Sequence, residues 1–158
     1  MRILLGAHPR ATLIRAAVLI AGAIIVFGFI LLPIRMEGIS MLPTYSGGIN
    51  FANRYAYRWS PPQRGDAVAV RMAGEGVVFV KRIVGMPGER VGIEVGVVMI
   101  NGEPLIESHV LYKTLWNMPE VTLGSDEYFL IGDNRGMPMK NHDFGKASRD
   151  RIIGRMVF

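Results

Sequence analysis

The sequence predicts an all-β extracytoplasmic domain, built as coiled sheets or a partly closed barrel, preceded by one N-terminal transmembrane helix. Three observations predict this fold class. Residues 16–34 form one unbroken apolar run. The rest of the chain alternates short apolar runs with glycine, proline and asparagine, as strands and turns do. Asn101-Gly102 is a two-residue hairpin signal, because both central positions of that turn need positive φ.

The apolar run has the length of a membrane span. Residues 16–34 read AAVLIAGAIIVFGFILLPI and contain no ionisable side chain. Roughly 19 residues at 1.5 Å each cover about 28 Å, close to the hydrocarbon thickness of a bilayer. The run is longer than the core of a cleavable signal peptide, and no Ala-x-Ala site follows it. A buried core helix would show polar positions on one face. We therefore expect a membrane anchor.

Flanking charge predicts the orientation of the anchor. Arg2, Arg10 and Arg15 precede the run without an acidic residue, and positive flanks stay in the cytoplasm. The remainder of the chain is then expected outside the cytoplasm. We expect two units: residues 1–35, a cytoplasmic N-terminus with a single transmembrane anchor, and residues 36–158, a β-rich domain.

Composition excludes several classes of function. The net charge is +5, but residues 36–158 carry 14 basic and 13 acidic side chains, without the clustered basic face that nucleic-acid binding needs. The chain has no cysteine, so neither disulfides nor thiol chemistry is expected. His8, His109 and His142 lie far apart and show no metal-ligand spacing. No metal, cofactor or nucleic-acid partner is predicted.

The strands of the β-domain are predicted from short apolar runs after Arg35. Residues 109–123 lack a clear period and are expected to form a long excursion. The predicted strand runs are INFANRYAY, DAVAVRM, VVFVKRIV, VVMING, DEYFLIGDN and RIIGRMVF.

A lysine interrupts one of these strands. In VVFVKRIV the strand alternation places Phe79, Lys81 and Ile83 on one face. Lysine is almost never fully buried unless it is paired. One interpretation is a snorkelling or ion-paired strand lysine. The other is a desolvated amine, whose pKa burial lowers until it can act as a base.

A serine lies just beyond the predicted anchor, in GISMLPT (38–44). Gly38 allows close backbone approach to Ser40, and Pro43 restricts the turn. The stretch is not a GxSxG elbow, because Leu42 stands at the last position. Taken alone, it also fits a turn with a polar residue. Together with Lys81, the stretch indicates a nucleophile and its base. A serine nucleophile needs an adjacent base, and Ser–Lys pairs are a known variant of triad chemistry.

From the apolar span onward the chain resembles the type I signal peptidases, the Ser/Lys peptidases that remove signal peptides at the outer face of the bacterial plasma membrane. The resemblance covers the order and content of the whole outer domain. It lies in the blocks SMLPT (40–44), RGDAVAV (64–70), VKRIVGMPGE (80–89), NGEPL (101–105) and EYFLIGDNR (127–135).

The resemblance implies roles for individual residues. Ser40 would be the nucleophile and Lys81 the general base. The family's oxyanion hole uses the serine's own N–H, sometimes with a hydroxyl two residues earlier, where this chain has Gly38. The GDNR block packs behind the lysine in the family, so Gly132 and Asp133 are expected to support the site. The implied partners are preproteins that carry signal peptides, together with the lipid bilayer of the bacterial plasma membrane.

One stretch departs from the family pattern. GDNR usually continues as xxSxDSR, and that serine orients the lysine amine, but here the same positions read GMPMKNH. Pro138 replaces the serine, Lys140 the aspartate and His142 the arginine. Proline has neither a hydroxyl nor an N–H, so it cannot hold the amine. Either Asn141, Asp143 or a backbone carbonyl takes over that role, or the enzyme is slow, specialised or inactive.

We expect the substrate segment before the cut to bind extended, as a strand added beside exposed sheet edges. The family prefers small residues one and three places before the cut. From their positions near the serine and lysine, Ile39, Leu42, Phe79 and Val80 are candidates for the walls of the shallow substrate pockets. Two alternatives remain open beside a general signal peptidase. One is a specialised peptidase that matures a few substrates, such as a conjugative pilus protein. The other is an anchored β-domain that binds exported peptides without cutting them.

Overall fold

The structure, a computed structural model, describes residues 9–72, 76–111 and 114–157. Helix α1 spans Pro9–Ile25 and continues as a π-helical turn over Val26–Ile30. Together Pro9–Ile30 is the one helix in the described part of the chain that is long and apolar enough to cross a membrane. None of its residues is buried against the domain. The helix therefore fits a membrane anchor.

The first strand begins where the helix ends. Strand β1, Leu31–Met36, pairs antiparallel with β2, Gly48–Asn53. The last four residues of the apolar run thus lie in the sheet rather than in the helix, because a hydrophobic run does not by itself distinguish a helix from a buried strand. Pro33 is tolerated because β1 is an edge strand. The expected division after residue 35 falls inside β1, and the two-unit organisation remains a proposal.

Seven strands form the larger sheet, in the order β1-β2-β11-β3-β4-β9-β10. The smaller sheet has the order β7-β6-β5-β8. Within the described ranges neither sheet closes into a barrel, and the predicted all-β fold with one N-terminal helix is confirmed as two open sheets. The remaining strands are β3 Ala67–Val70, β4 Phe79–Gly85, β5 Arg90–Glu94, β6 Val97–Ile100, β7 Glu103–Pro104, β8 Met118–Thr122, β9 Glu127–Ile131, β10 Gly145–Ser148 and β11 Ile152–Met156.

Two tight turns organise the smaller sheet. The hairpin at Asn101-Gly102 is confirmed, with φ of 52° and 87° between β6 and β7. A second turn, Val95-Gly96, joins β5 to β6 with φ of 48° and 79°. This turn was not predicted from the sequence, because a β-branched residue rarely adopts positive φ. Strand β8 also lies inside the stretch 109–123 that was predicted to be irregular.

The central strand β4 positions the candidate site. It pairs with β3 along its whole first half, whereas its pairing with β9 begins only at Arg82. The β9-side edge of residues 79–81 therefore has no strand partner among the described residues. Strand β1, at the sheet edge, likewise pairs on one side only, with β2.

Candidate active site

Ser40 lies in the turn that follows β1. The N–H of Leu42 donates to the carbonyl of Ile39 at 3.2 Å, which closes the turn around the serine. The next side chain, Met41, is wholly buried and packs in the same core cluster as Ile34. The buried methionine anchors the turn, and Ser40 remains half-buried beside it.

The loop after β9 holds this turn from behind. The N–H of Asn134 donates to the Ser40 carbonyl at 2.9 Å, and its side-chain amide donates to the Ile39 carbonyl at 3.1 Å. Gly132 leaves no room for a side chain. A Cβ at Gly132 would clash with the Ser40 carbonyl oxygen and would lie 2.6 Å from Cε1 of His142. The glycine therefore lets two loops meet at the backbone of the serine.

Lys81 reaches the serine from the middle of β4. Its side chain is 1% exposed, and its Nζ donates to the Ser40 Oγ at 3.1 Å. The amine also lies 5.8 Å from the centroid of the Phe79 ring. No carboxylate of the described residues lies within 4.0 Å of this amine. The strand lysine is thus buried without an ion-pair partner.

Burial controls the protonation of this lysine. Loss of hydration lowers the pKa of Lys81 from 10.5 to about 8, and the negative charge of Asp143 opposes that shift in part. A fraction of the lysine is therefore neutral at neutral pH. Only the neutral amine can accept a proton from a hydroxyl.

Asp133 joins the strand of the lysine to the loop of the serine. Its buried carboxylate accepts two hydrogen bonds from Arg82, from Nε at 2.7 Å and from Nη2 at 2.6 Å. The hydroxyl of Thr44 donates to the same carboxylate at 2.5 Å. Arg82 follows Lys81 in β4, and Thr44 follows Ser40 in the turn. These hydrogen bonds of Asp133 fix β4 and the serine turn relative to each other, and none of them involves the amine of Lys81.

A second buried ion pair, which the sequence analysis missed, supports Gly132. Arg135 is 1% exposed, and its guanidinium pairs with both oxygens of Glu107 at 3.0 and 2.6 Å. Its Nε donates to the Gly132 carbonyl at 2.9 Å. His109 lies 3.6 Å from Glu107 and from Asp133, and burial lowers its pKa. Glu107 was not predicted as a partner because it lies far from Arg135 in the sequence. Arg135 itself belongs to the GDNR block.

A cleft of about 360 Å³ opens beside the serine and lysine. Its walls come from the C-terminal end of β1 with residues 37–40, and from residues 77–81 at the start of β4. Of the four predicted pocket residues, Ile39, Phe79 and Val80 line it. Leu42 does not line it, because the turn has already reversed the chain at that point. The sequence missed the apolar wall residues Ile34, Met36, Val77, Val78 and Met137.

The stretch that departs from the family pattern supplies no hydrogen bond to the amine among the described residues. Pro138 is exposed and precedes a 3-10 turn, Met139–Asn141, with its carbonyl accepting from the Asn141 N–H at 2.9 Å. Lys140 is exposed. Asn141 and Asp143 both line the cleft, and the charge of Asp143 acts on Lys81. Asn141, Asp143 or a backbone carbonyl was expected to replace the family serine whose position Pro138 occupies. Of these, Asp143 acts on the amine of Lys81 through its charge.

His142 is not part of a Ser–His–Asp arrangement. His142 is 5% exposed, its ring lies 5.0 Å from the Trp116 ring, and neither ring nitrogen has a hydrogen-bond partner among the described residues. Burial, together with the positive charges of Lys81 and Arg135, lowers its pKa from 6.5 to about 4, and Asp143 opposes that shift in part. The imidazole is therefore neutral and fills the space behind Gly132.

The protein consists of an apolar helix followed by two open β-sheets, with a cleft at a sheet edge. This architecture is known from a solved structure. The fold resembles the crystal structure of a signal peptidase I from Enterococcus faecalis V583, with a TM-score of 0.52 over 62% of this chain and 98% of that one. The two sequences are 24% identical over that match, so the likeness concerns the fold alone.

Sequence comparison shows the family. The chain belongs to the signal peptidases of peptidase family S26, whose family model matches residues 10–158. It is 31% identical to the probable signal peptidase I-1 of Synechocystis sp. (strain ATCC 27184 / PCC 6803 / Kazusa), over 82% of this chain and 71% of that relative. It is 32% identical to the signal peptidase I of Leptolyngbya laminosa over 75% of this chain, but spans only 63% of that relative. The resemblance noted from the sequence is confirmed, and the chain is a peptidase-family member.

Proposed function

We propose that this protein is a membrane-bound serine endopeptidase that cleaves signal peptides from exported preproteins with Ser40 and Lys81. The observation that carries the proposal is the 3.1 Å contact between Ser40 Oγ and the amine of Lys81, a residue that is 1% exposed. A desolvated amine beside a hydroxyl is what an activated serine requires. Signal peptidase relatives at about 30% identity support the substrate class.

The proposed reaction begins with a proton transfer. Neutral Lys81 accepts the proton of the Ser40 hydroxyl, and Oγ attacks the carbonyl carbon of the scissile bond. The Ser40 N–H forms no hydrogen bond to the described residues and is available for the oxyanion. The ammonium of Lys81 then donates its proton to the leaving amine nitrogen, which departs and leaves an acyl-enzyme. Neutral Lys81 next takes a proton from water, the hydroxide attacks the ester, and the Ser40 oxygen leaves with the proton.

The edges that border the cleft suit an extended substrate. Among the described residues, strand β1 and the start of β4 both present unpaired edges there, and an extended segment can add to such an edge by main-chain hydrogen bonds. Ile39, Phe79 and Val80 line the cleft, and in this proposal they form the apolar walls against small side chains before the cut. The short connection from the helix end at Ile30 to Ser40 keeps the nucleophile near the outer bilayer surface, where the cleavage point of a precursor emerges.

A panel of purified precursors tests the function. The full-length protein in phospholipid vesicles is incubated with several signal-bearing precursors, and cleavage is followed by the mass of the released mature protein. Broad cleavage that disappears in Ser40→Ala supports a general signal peptidase. Cleavage of one precursor class supports a specialist, which the changed stretch at Pro138 favours. Binding without cleavage would contradict the peptidase proposal.

Adding a hydroxyl at Gly38 should make the enzyme faster. A Cβ at Gly38 would meet nothing within 4 Å, so serine fits there and can place a second donor near the oxyanion. Since one oxyanion donor changes kcat by about 10²–10³ in other serine enzymes, a gain of about tenfold is expected for Gly38→Ser. Gly38→Ala, which adds the carbon without the hydroxyl, is the matched control. Equal rates for the two variants would rule out this geometry for the oxyanion.

A further inference from the structure

Among the described residues that line the cleft, one carboxylate has no partner. The charged residues of this lining are Arg35, Glu37, Lys81 and Asp143. Arg35 and Glu37 form an ion pair at 3.3 Å, and the amine of Lys81 donates to Ser40. The Asp143 carboxylate has no basic nitrogen within 4.0 Å and accepts no hydrogen bond from the described residues. Asp143 can therefore bind a cation from outside the chain.

Asp143 is also accessible to such a cation. The residue is exposed and follows the short 3-10 turn Met139–Asn141, in the loop between β9 and β10. Asn141, likewise exposed, lines the cleft from the same loop and adds an uncharged polar side chain. This loop thus gives the cleft a polar part that differs from the apolar residues of β4. A basic side chain that enters from solvent reaches the Asp143 carboxylate without displacing a partner.

The charge of Asp143 acts on the proposed base. Burial lowers the pKa of Lys81, and the negative charge of Asp143 raises it in part, so the carboxylate lies near the reacting groups. The other titratable groups around the amine are paired or neutral. Arg82, the next residue of β4, pairs with Asp133 at 2.6 Å, and burial holds the pKa of His142 at about 4. Asp143 is therefore the charge beside Lys81 that a bound substrate can offset.

We infer that Asp143 is a specificity-determining residue that binds a lysine or arginine side chain of the substrate, at the second position before the cut or at one of the first two after it. The inference rests on the proposed function, because that function places the cut at Ser40. An extended peptide rises about 3.3 Å per residue and turns successive side chains to opposite faces. With the first and third residues before the cut against the apolar walls, the residue between them faces away from those walls. Arginine can pair with both oxygens of a carboxylate, and lysine with one.

This pairing affects the base as well as substrate binding. A cation at Asp143 offsets the negative charge that favours the ammonium form of Lys81, so the pKa of the lysine falls in the complex. More of the lysine is then neutral at neutral pH. A basic substrate is therefore bound more tightly and is also cleaved faster once bound.

Peptides that differ only in charge test the recognition. Each synthetic peptide spans a signal-peptide cleavage point with alanine one and three places before the cut. It carries either arginine or its uncharged isostere citrulline at one of the three positions named above. The full-length protein in detergent micelles is assayed for kcat and KM at several pH values. We expect kcat/KM to be about fivefold higher for arginine than for citrulline at one of the positions, since exposed ion pairs are modest in strength.

The pH profiles distinguish recognition from a purely structural role of Asp143. The rise of kcat, which reports the complex, should occur at lower pH with the arginine peptide than with the citrulline peptide. The rise of kcat/KM, which reports the free enzyme, should occur at the same pH with both. Asp143→Asn should abolish the preference and the difference in kcat, and should move the kcat/KM profile to lower pH for both peptides, because the charge that raises the pKa of Lys81 is gone.

Two further variants complete the test. Asp143→Lys should reverse the preference, so that glutamate at the same position is cleaved better than arginine. The matched control is Asp126→Asn, which removes an exposed carboxylate from the turn before β9 that does not line the cleft. This control should keep the arginine preference and both pH profiles.

Equal kcat/KM for arginine and citrulline at all three positions would overturn the inference. A preference that persists in Asp143→Asn, or that is lost in Glu37→Gln instead, would also overturn it. The proposed function fails separately, because binding of fluorescent peptides to Ser40→Ala is measured by anisotropy. Tighter binding of the arginine peptide that depends on Asp143, in a protein that cleaves no peptide, would support the subsite and refute the peptidase. Cleavage without an arginine preference refutes the subsite alone, and neither cleavage nor a difference in binding refutes both.

Discussion

Replacing Lys81 with arginine is expected to abolish cleavage of a signal-bearing precursor while the domain stays folded. Arginine keeps the positive charge but does not deprotonate in proteins, so it cannot take the proton of Ser40. Because a general base contributes about 10²–10⁴-fold, we expect kcat/KM to fall by about 10³-fold or more. The measurement is the rate of precursor cleavage at equal concentrations of folded protein, checked by circular dichroism.

The matched control is Lys146→Arg. Lys146 is a half-exposed lysine on β10 that pairs with Glu127 at 3.2 Å, and the same chemical change there should leave the rate unaltered. Normal processing by Lys81→Arg would disprove the assignment of the base. If Lys81→Arg loses both folding and activity, the base is tested with Lys81→Met instead. Methionine removes the buried charge and keeps the length of the side chain.

The same lysine should impose a pH dependence on the rate. With a pKa of about 8 for Lys81, kcat/KM should rise about tenfold per pH unit below that value and level off above it. A rate that is flat from pH 6 to 8, or that levels off only near 10.5, would contradict a buried basic amine.

The free energy of unfolding should also depend on the titration of Lys81. The folded-state pKa of about 8 lies below the unfolded value of 10.5, so the unfolded chain binds more protons between these two pH values. The free energy of unfolding should therefore rise with pH across that window, by about 3 kcal/mol in total. Below pH 8 the buried ammonium imposes its full penalty. In Lys81→Met the rise should be absent, which denaturant titrations at several pH values can measure.

Replacing Gly132 with alanine is expected to lower kcat about 100-fold with little change in KM. The new Cβ clashes with the carbonyl oxygen of Ser40, and on its other side it meets the His142 ring. The ring is packed against Trp116 at 5.0 Å, so the backbone of Ser40 must move instead. A displacement of about 1 Å at a nucleophile costs about 10²-fold in rate.

The control for Gly132→Ala is a glycine with an equally severe clash in a strand that contributes no residue to the walls of the cleft among the described residues. A Cβ at Gly154, in β11, would clash with the carbonyl oxygen of Asn53. Gly154→Ala should lower the melting temperature, yet the folded fraction should cleave at the normal rate. If both variants lose kcat alike, the loss at Gly132 reflects general destabilisation, and the placement of Gly132 against the nucleophile has no catalytic consequence.

The local features of this protein could be predicted from its sequence. The apolar run, the strand runs and the turn at Asn101-Gly102 depend on neighbouring residues alone, and each was predicted correctly in kind. Ser40 and Lys81 were singled out as a nucleophile and a base in the order of a known family. Local chemistry alone also fitted a turn serine and a snorkelling lysine, so the pairing depended on the two residues together and on the resemblance to the family.

Other features depended on which segments meet. The extent of the helix was overestimated at its C-terminal end, because the pairing of Leu31–Met36 with β2 decides that those residues form a strand. The Val95-Gly96 turn is imposed by strands β5 and β6 against the preference of valine. Leu42 was assigned to the pocket from its distance along the chain, and the reversal of the turn takes it away from the cleft.

The sequence by itself therefore predicted the apolar N-terminal helix, the β-rich domain and the two side chains proposed here as nucleophile and base. Only the tertiary structure decided the state of the lysine. The pKa of Lys81 depends on the hydration lost when β3, β4 and the serine turn pack together, and on the absence of a carboxylate within 4.0 Å among the described residues. The bracing of the site by Asp133 and Arg82, 51 positions apart, was also decided there. Solvation and long-range contacts are properties of the packed chain, and no short stretch of residues contains them.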